Sequence, residues 1–319
     1  MKNLEIGWIE QDGPVGDVQR DVVSRIGAQS VNVRFLSGGL ANRNYALGSD
    51  KVLRVYGRPK CENSIEIEDF LNNVDWKNFS SPLTIFRGED YLLQKFLQYR
   101  EFTESSRDGH LAGRVLGEIH AAGCGNAVRY NMKLAEIFRA RPLTQKIITT
   151  MEWAFNSISE KKSHFPKGLL QAIRLNLESS VNSVSEQIEM YANDIVLLHG
   201  DCKPSNVKIG VDGRAVVFDW EFSFVGPRVV DLGHFLRWGA QEEFIDAFIS
   251  GYYEESRIDV SGMLEAAKWV DLINVLFQLE KSAAKSVREV DILNYLSVMT
   301  DMDCPANKRL QSDAVSPRT

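Results

Sequence analysis

Three oxygen-bearing side chains and a lysine fall within one stretch, Ile195 to Glu221, which reads IVLLHGDCKPSNVKIGVDGRAVVFDWE. Asp201 and Asn206 are five positions apart, and Asp219 follows two short apolar runs, 207–210 and 215–218. These residue types at this spacing suit phosphoryl transfer. That reaction needs a nucleophilic hydroxyl held in line and cations clamped on phosphate oxygens, more than covalent help from the protein. Asp201 can accept or orient the hydroxyl proton. Asn206 offers a neutral oxygen and Asp219 a charged one, the hard ligands that magnesium prefers. Lys203 is a point charge able to reach a migrating phosphoryl group.

The elements that must position these groups are also legible. The run Ile195 to Leu198 predicts a short buried strand ending at His199. Asp212-Gly213 between the two later runs predicts a hairpin, which would bring Asn206 and Asp219 side by side. Far upstream, Val31 to Leu36 alternates as a strand does, and a second strand runs through Leu47. Between them lies Ser37-Gly38-Gly39-Leu40-Ala41-Asn42, where glycines let the backbone come close to a phosphate and aim N–H groups at it. A third strand, Val52 to Tyr56, carries Arg54. The segment ENSIEIEDFLNNV then reads as a helix packed through Ile65, Phe70 and Leu71. Glu62, Glu66 and Glu68 compete as the acid that steadies Arg54, and Glu66, four before Phe70, shares the inward face. Residues 83–99 give two more strands around Gly88-Glu89-Asp90, for a sheet of about five.

HGDCKPSN followed by FDWE, with LSGGLANRNY and VLR upstream, resembles the aminoglycoside phosphotransferase and choline kinase group. These are small-molecule kinases with a protein-kinase-like fold. The resemblance runs in order over residues 30–300 and is dense in Phe35–Tyr56 and His199–Asp231. It implies an α/β (α+β) two-lobed fold, with a small antiparallel-sheet lobe at 1–97 and a mostly helical lobe at 98–303. Composition reads 304–319 as a frayed tail. The resemblance further implies transfer of the γ-phosphate of ATP or GTP to a small-molecule hydroxyl. Asp201 and Lys203 would be catalytic, and Asn206 and Asp219 would hold Mg2+. The nucleotide would meet Gly38, Gly39, Asn42, Arg54 and Glu66, and the backbone around Gln94 and Phe96 would hold its base. Arginine stands where many kinases have lysine, which changes the phosphate geometry. His120, in the LGEIH segment, and Asp231 are implied to be structural, with Asp231 bracing the catalytic loop. The acceptor implied is an aminoglycoside-like or other antibiotic. The alternatives are a metabolic kinase acting on homoserine, choline, ethanolamine or a sugar, and a nucleotide-binding pseudokinase.

The totals bound the rest. At 319 residues with 44% hydrophobic and 25% charged side chains, the chain is globular and large enough for two sub-domains. With a net charge of −6 nothing argues for nucleic acid, and the charge fits, weakly, a cationic acceptor. Cysteines at 61, 124, 202 and 304 form no CxxC pair, so neither a zinc site nor a disulfide framework is implied. A space-filling Cys202 beside Asp201 fits a reducing, cytoplasmic setting. The first residues, MKNLEIGWIEQDG, lack a signal-peptide core, and no apolar run approaches the ~20 residues of a membrane span. Helical periodicity is expected over His110–Ala122, 130–192 and Glu242–Met299. Trp153 is expected in a core, Asp231 at a helix N-cap, and Tyr252 and Tyr253 between helices at a pocket rim.

Overall fold

The computed structural model describes residues 33–36, 42–56, 67, 70, 71, 73–88, 91–122, 132–162, 167–237, 241–282 and 286–299. They group into two compact units. One holds the described residues up to Thr103 together with Pro204–Glu221, and the other holds Glu104–Lys203 and the described residues from Phe222 onward.

The first unit is built on strands. Its strands are β1 (Val33–Leu36), β2 (Asn42–Leu47), β3 (Lys51–Tyr56), β4 (Phe79–Ser80), β5 (Thr84–Arg87), β6 (Tyr91–Lys95) and β7 (Tyr99–Arg100). Strands β1-β2-β3-β6-β5 form an antiparallel sheet in that order, the five-stranded sheet that the alternation predicts. Side chains on a strand alternate between faces. Tyr45, Leu47, Leu53, Tyr91 and Leu93 therefore share one face and pack as a cluster, with Val55 and Phe86 against it. Arg54 and its cross-strand neighbour Asn44 fall on the opposite face. The core on one side is thus what aims Arg54 to the other.

The second sheet of this unit draws on distant sequence. The chain returns after Lys203 as β9 (Val207–Gly210) and β10 (Ala215–Val217), and the order is β4-β10-β9-β7. β9 and β10 pair antiparallel through the expected hairpin, whose Gly213 adopts a left-handed φ of 80°. Phe79 stacks between Trp76 and Trp220, at centroid distances of 4.6 and 5.9 Å. Arg214 also donates to the Trp76 carbonyl at 3.0 Å. These contacts fasten the hairpin to residues more than a hundred positions earlier.

The second unit is mostly helical. Among the described residues its helices are α1 (Ser106–Ala121), α2 (Met132–Phe138), α3 (Leu143–Lys161), α4 (Lys167–Ser183), α5 (Ser185–Tyr191), α6 (Val229–Leu236), α7 (Glu242–Ser256), α8 (Leu264–Lys281) and α9 (Val287–Met299). β8 (Ile195–Leu198) pairs antiparallel with β11 (Phe224–Pro227). Helix α1 begins earlier than its apolar spacing predicts. The Ser105 hydroxyl accepts from the Asp108 N–H at 3.2 Å, which caps the first turn. Within α1, Gly113 lies so close to α7 that a Cβ there would overlap the Phe248 carbonyl. Backbone contact of this kind sets how deeply the two helices seat and so where their other side chains meet.

Two expectations about helical aromatics need correction. Tyr252 does not lie between helices: it is inside α7 and fully buried, while Tyr253 beside it is half exposed. Trp153, expected in a core, is 46% exposed and meets Phe277 in a tilted ring pair with centroids 5.2 Å apart. No helix of the described residues is long and apolar enough to cross a membrane.

Gly113→Ala should cost at least about 2 kcal/mol, because the added methyl meets backbone and not a movable side chain. Urea denaturation of the variant would measure this, and a loss below about 0.5 kcal/mol would show that α1 and α7 can separate freely.

Candidate active site

The helical unit contributes the segment that follows β8. Ladder pairs from Leu198–Phe224 to Ile195–Pro227 carry the chain to His199, which is fully buried. Gly200 then turns it with a left-handed φ of 79°, and a Cβ there would overlap the Phe222 carbonyl oxygen. Both constraints select glycine. The two peptide N–H groups of this bend need acceptors away from water, and Asp231 provides them. Its Oδ2 accepts from His199 N at 2.7 Å and its Oδ1 from Gly200 N at 2.9 Å.

Asp231 is not the N-cap that its sequence position suggests. Helix α6 starts at Val229 with Arg228 in the cap position, so Asp231 lies in the first turn, where its carboxylate reaches the loop. It is fully buried. Burial alone would raise its pKa, but the hydrogen bond from His120 and that from the Gly200 N–H hold the carboxyl below its ordinary range. His120 Nε2 stands 3.3 Å from Oδ2 and its Nδ1 2.7 Å from the Tyr252 hydroxyl. A neutral ring facing a carboxylate carries its proton on that side, so Tyr252 O–H donates to Nδ1. Arg228 in turn donates to the Tyr252 oxygen and holds Asp194 with two further bonds, at 2.6 and 3.0 Å. Burial lowers the His120 pKa, against the opposing pull of Asp231, and keeps the ring neutral. The structural role implied for His120 and the brace implied for Asp231 are both present as geometry.

On the loop so fixed, Asp201 donates its N–H to His199 Nδ1 at 3.2 Å. Its Oδ2 takes Lys203 Nζ at 2.7 Å, and Oδ1 lies 3.3 Å from His234 Nε2. Cys202 between them is buried, and burial raises its thiol pKa well above the ordinary value, which makes it inert filling. His234 is the residue that sequence reasoning misses. The available signal was its position one helical turn after Asp231.

The strand-rich unit contributes the other set. Asn206 ends a short turn, Pro204–Asn206, with its side chain buried. Its carbonyl accepts from Phe218 N at 2.9 Å, which closes the open end of the β9–β10 hairpin and leaves Asp219 one residue further along the chain. Asp219 adopts a left-handed φ of 59°, an uncommon conformation for a residue with a Cβ. Its Oδ1 pairs with Arg54 Nη2 at 3.2 Å, and Arg54 Nε donates to Asn44 Oδ1 at 3.3 Å. An amide oxygen and a carboxylate are oxygen types that magnesium takes, and it uses few protein ligands and keeps waters and phosphate oxygens for the rest. No group of three or more His, Cys, Asp or Glu suited to a metal occurs among the described residues, so the site does not match a metal held wholly by such side chains.

The remaining expected nucleotide residues are placed as follows. Gly38, Gly39 and Glu66 lie outside the described residues. Asn42 opens β2 opposite Tyr56. Gln94 is buried in β6 and its Nε2 donates to the Pro82 carbonyl at 3.2 Å. The Phe96 N–H donates to the Asp50 carbonyl at 2.7 Å, so it is committed to the sheet. Asp201 and Lys203 thus belong to one unit, and Arg54, Asn206 and Asp219 to the other, with the chain passing between them at Lys203–Pro204.

Comparison with known proteins bears on this arrangement. The profile of the Phosphotransferase enzyme family matches residues 32–262. No curated protein matches. Among solved structures, the chain is similar to choline kinase from Cryptosporidium parvum, at 15% identity over 94% of this chain and 98% of that one, with a TM-score of 0.61. It is also similar to macrolide 2'-phosphotransferase from Brachybacterium faecium, at 16% identity over 91% and 99%, with a TM-score of 0.58. A third is the streptomycin–ATP complex of an aminoglycoside 2''-phosphotransferase, at 13% identity over 93% and 97%, with a TM-score of 0.59. The fold is thus kinase-like, with an N-terminal antiparallel sheet and a helical C-terminal region.

Two outcomes follow from the geometry. Asp219→Gly should be more stable than Asp219→Ala by about 1 kcal/mol, because both lose the exposed ion pair but only glycine is at ease at this φ. Equal urea midpoints for the two would mean that the left-handed φ is not kept. Burial also lowers the pKa of His234 to about 4. The unfolded chain therefore binds protons below about pH 6.5 that the folded chain refuses, and stability falls as pH drops from there towards 4. His234 should account for on the order of 2 kcal/mol of the loss between pH 7 and pH 5. Urea titrations at both pH values should show a smaller loss in His234→Leu than in the unaltered chain.

Proposed function

The chain belongs to the Phosphotransferase enzyme family, and from that premise we propose that it transfers the γ-phosphoryl group of ATP or GTP to a hydroxyl of a small molecule, an aminoglycoside-like or other antibiotic. The observation that carries the reading is the fixing of Asp201. Its loop is pinned by the Asp231 carboxylate through two backbone N–H groups, and its own carboxylate is held at one oxygen by Lys203. A carboxylate so placed is suited to take a proton and to hold a hydroxyl in line.

In the reaction, the acceptor oxygen bonds to the γ-phosphorus as the bridging bond to the nucleoside diphosphate breaks. The hydroxyl proton passes to Asp201. Lys203, a point charge beside Asp201, offsets charge on the transferring group, and Arg54 does the same for the nucleotide phosphates. Asn206 and Asp219 would hold Mg2+, and the bound ion would supply positive charge to offset that on the phosphate oxygens. By the same reading Gly38, Gly39 and Asn42 would serve the phosphates, Glu66 would steady Arg54, and the base would meet backbone around Gln94, with the Phe96 N–H spent on Asp50 and so not on the base. The free thiol of the buried Cys202 supports a reducing compartment, the cytoplasm.

A second reading, a metabolic kinase for choline, ethanolamine, homoserine or a sugar, is favoured by the similarity to choline kinase. The presence of Asp201, Asn206 and Asp219 together argues against a pseudokinase.

An ATP-consumption screen over aminoglycosides, macrolides, amino alcohols, homoserine and sugars separates the readings, with mass spectrometry finding the added phosphate on any hit. Asp201→Ala should lower turnover on the hit by at least about 100-fold while nucleotide binding persists. Asp219→Ala should abolish magnesium-dependent nucleotide binding in calorimetry. Turnover at the unaltered rate in Asp201→Ala would remove Asp201 from the mechanism.

A further inference from the structure

His234 is unusual among the buried polar side chains. Its ring is only 5% exposed, yet neither ring nitrogen has a hydrogen-bond partner. Buried polar atoms are almost always satisfied, and exceptions cluster where a group has work to do. Nε2 lies 3.3 Å from Oδ1 of Asp201, while the opposite oxygen of that carboxylate is taken by Lys203 at 2.7 Å. At that separation a small turn of the ring makes Nε2–H a donor to Oδ1. We infer that His234 is a positioning residue for Asp201, a neutral imidazole that holds Oδ1 as Lys203 holds Oδ2 and so fixes the plane in which the carboxylate meets the acceptor hydroxyl. The inference rests on the reading of Asp201 as the group that receives the acceptor's proton.

The charges around the ring support a neutral state through the reaction. Burial disfavours the imidazolium most, and Arg237, just past the end of the same helix, adds to that. Asp271 of α8, Asp201 of the loop and Asp231 of α6 pull the other way. Asp271 is engaged with Arg237 by two bonds, at 2.5 and 2.7 Å, so the nearby cation and anion largely offset each other. The proton leaving the acceptor therefore stays on Asp201, and His234 donates without being consumed. Helix α6 thus serves the loop twice. Asp231 holds its backbone, and His234, one turn later, orients its side chain.

Two measurements on the full chain test this. In 15N-histidine NMR, the His234 resonances, identified by their loss in His234→Gln, should report the Nε2–H tautomer from pH 5.5 to 8 and should shift in Asp201→Asn. An Nδ1–H tautomer, an imidazolium in that range, or no response to Asp201→Asn would overturn the inference. The second measurement is the pH profile of magnesium–ATP hydrolysis, with water as acceptor. His234→Leu should lower kcat by about 10- to 100-fold with KM for ATP within about twofold, and should move the acid limb to higher pH. His234→Gln, which keeps an N–H near the Nε2 position, should recover to within about threefold of the unaltered enzyme. An unchanged kcat and acid limb in His234→Leu, or no recovery in His234→Gln, would reduce His234 to packing. Should His234→Leu not fold, the glutamine variant and the tautomer decide. Full turnover in Asp201→Ala alongside the expected tautomer and Asp201→Asn response would sink the role of Asp201 and leave the His234–Asp201 contact standing.

Discussion

A single buried carboxylate organises the catalytic loop. Asp231 accepts two successive backbone N–H groups, from His199 and Gly200, at a bend where glycine's conformation and the nearby Phe222 carbonyl leave no room for alternatives. An isolated charge at full burial would be untenable, and His120 is the group that makes this one tolerable. The chain of donors continues through Tyr252 to Arg228 and Asp194, so a residue of α7 and the end of β11 share in holding the loop. Taking one member from such a buried set strands the others, which costs several times more than an exposed pair. The placement of Asp201 is therefore a property of the helical unit's interior more than of the loop's own sequence.

The strand-rich unit solves a different problem. Its groups are aimed by strand periodicity: with Leu53 turned into the apolar cluster, Arg54 must face the other way, beside Asn44. Asp219 then meets Arg54 from the end of the hairpin, in a backbone conformation that disfavours a side chain. Strain kept at such a point, where a small amount of energy secures a side-chain direction, is common at functional sites. The two units thus use separate means, a buried hydrogen-bonded charge in one and a strained hairpin end in the other.

What the sequence disclosed divides along the same physical lines. Asp201, Lys203, Asn206 and Asp219 are close together in the chain, so spacing and an Asp-Gly turn were enough to single them out as candidates. The five-stranded sheet followed from alternation, a local signal. The pairing of β4 and β7 with the later hairpin is long-range and leaves no local trace. Asp231 was legible from its position as an acid at a helix start, and its bracing of the loop only through the family resemblance, because that role depends on how β11 enters the helix. Tyr252 looked like a rim residue because its partners, His120 and Arg228, come from elsewhere in the chain. His234 was invisible as a functional residue because helical spacing alone cannot say which polar side chain will be left without a partner.

The sheet made by β4, β10, β9 and β7 carries an evolutionary consequence. Its outer strands are encoded before Thr103 and its inner pair after Lys203. A recombination crossover near Thr103 would hand a recipient two foreign edges without the centre they were selected to clasp, and would part Trp76 and Phe79 from Trp220. The strand-rich half is therefore not a portable cassette. Its lineage should drift as one linked block across the helical sequence that interrupts it, with complementary changes on both sides of the gap.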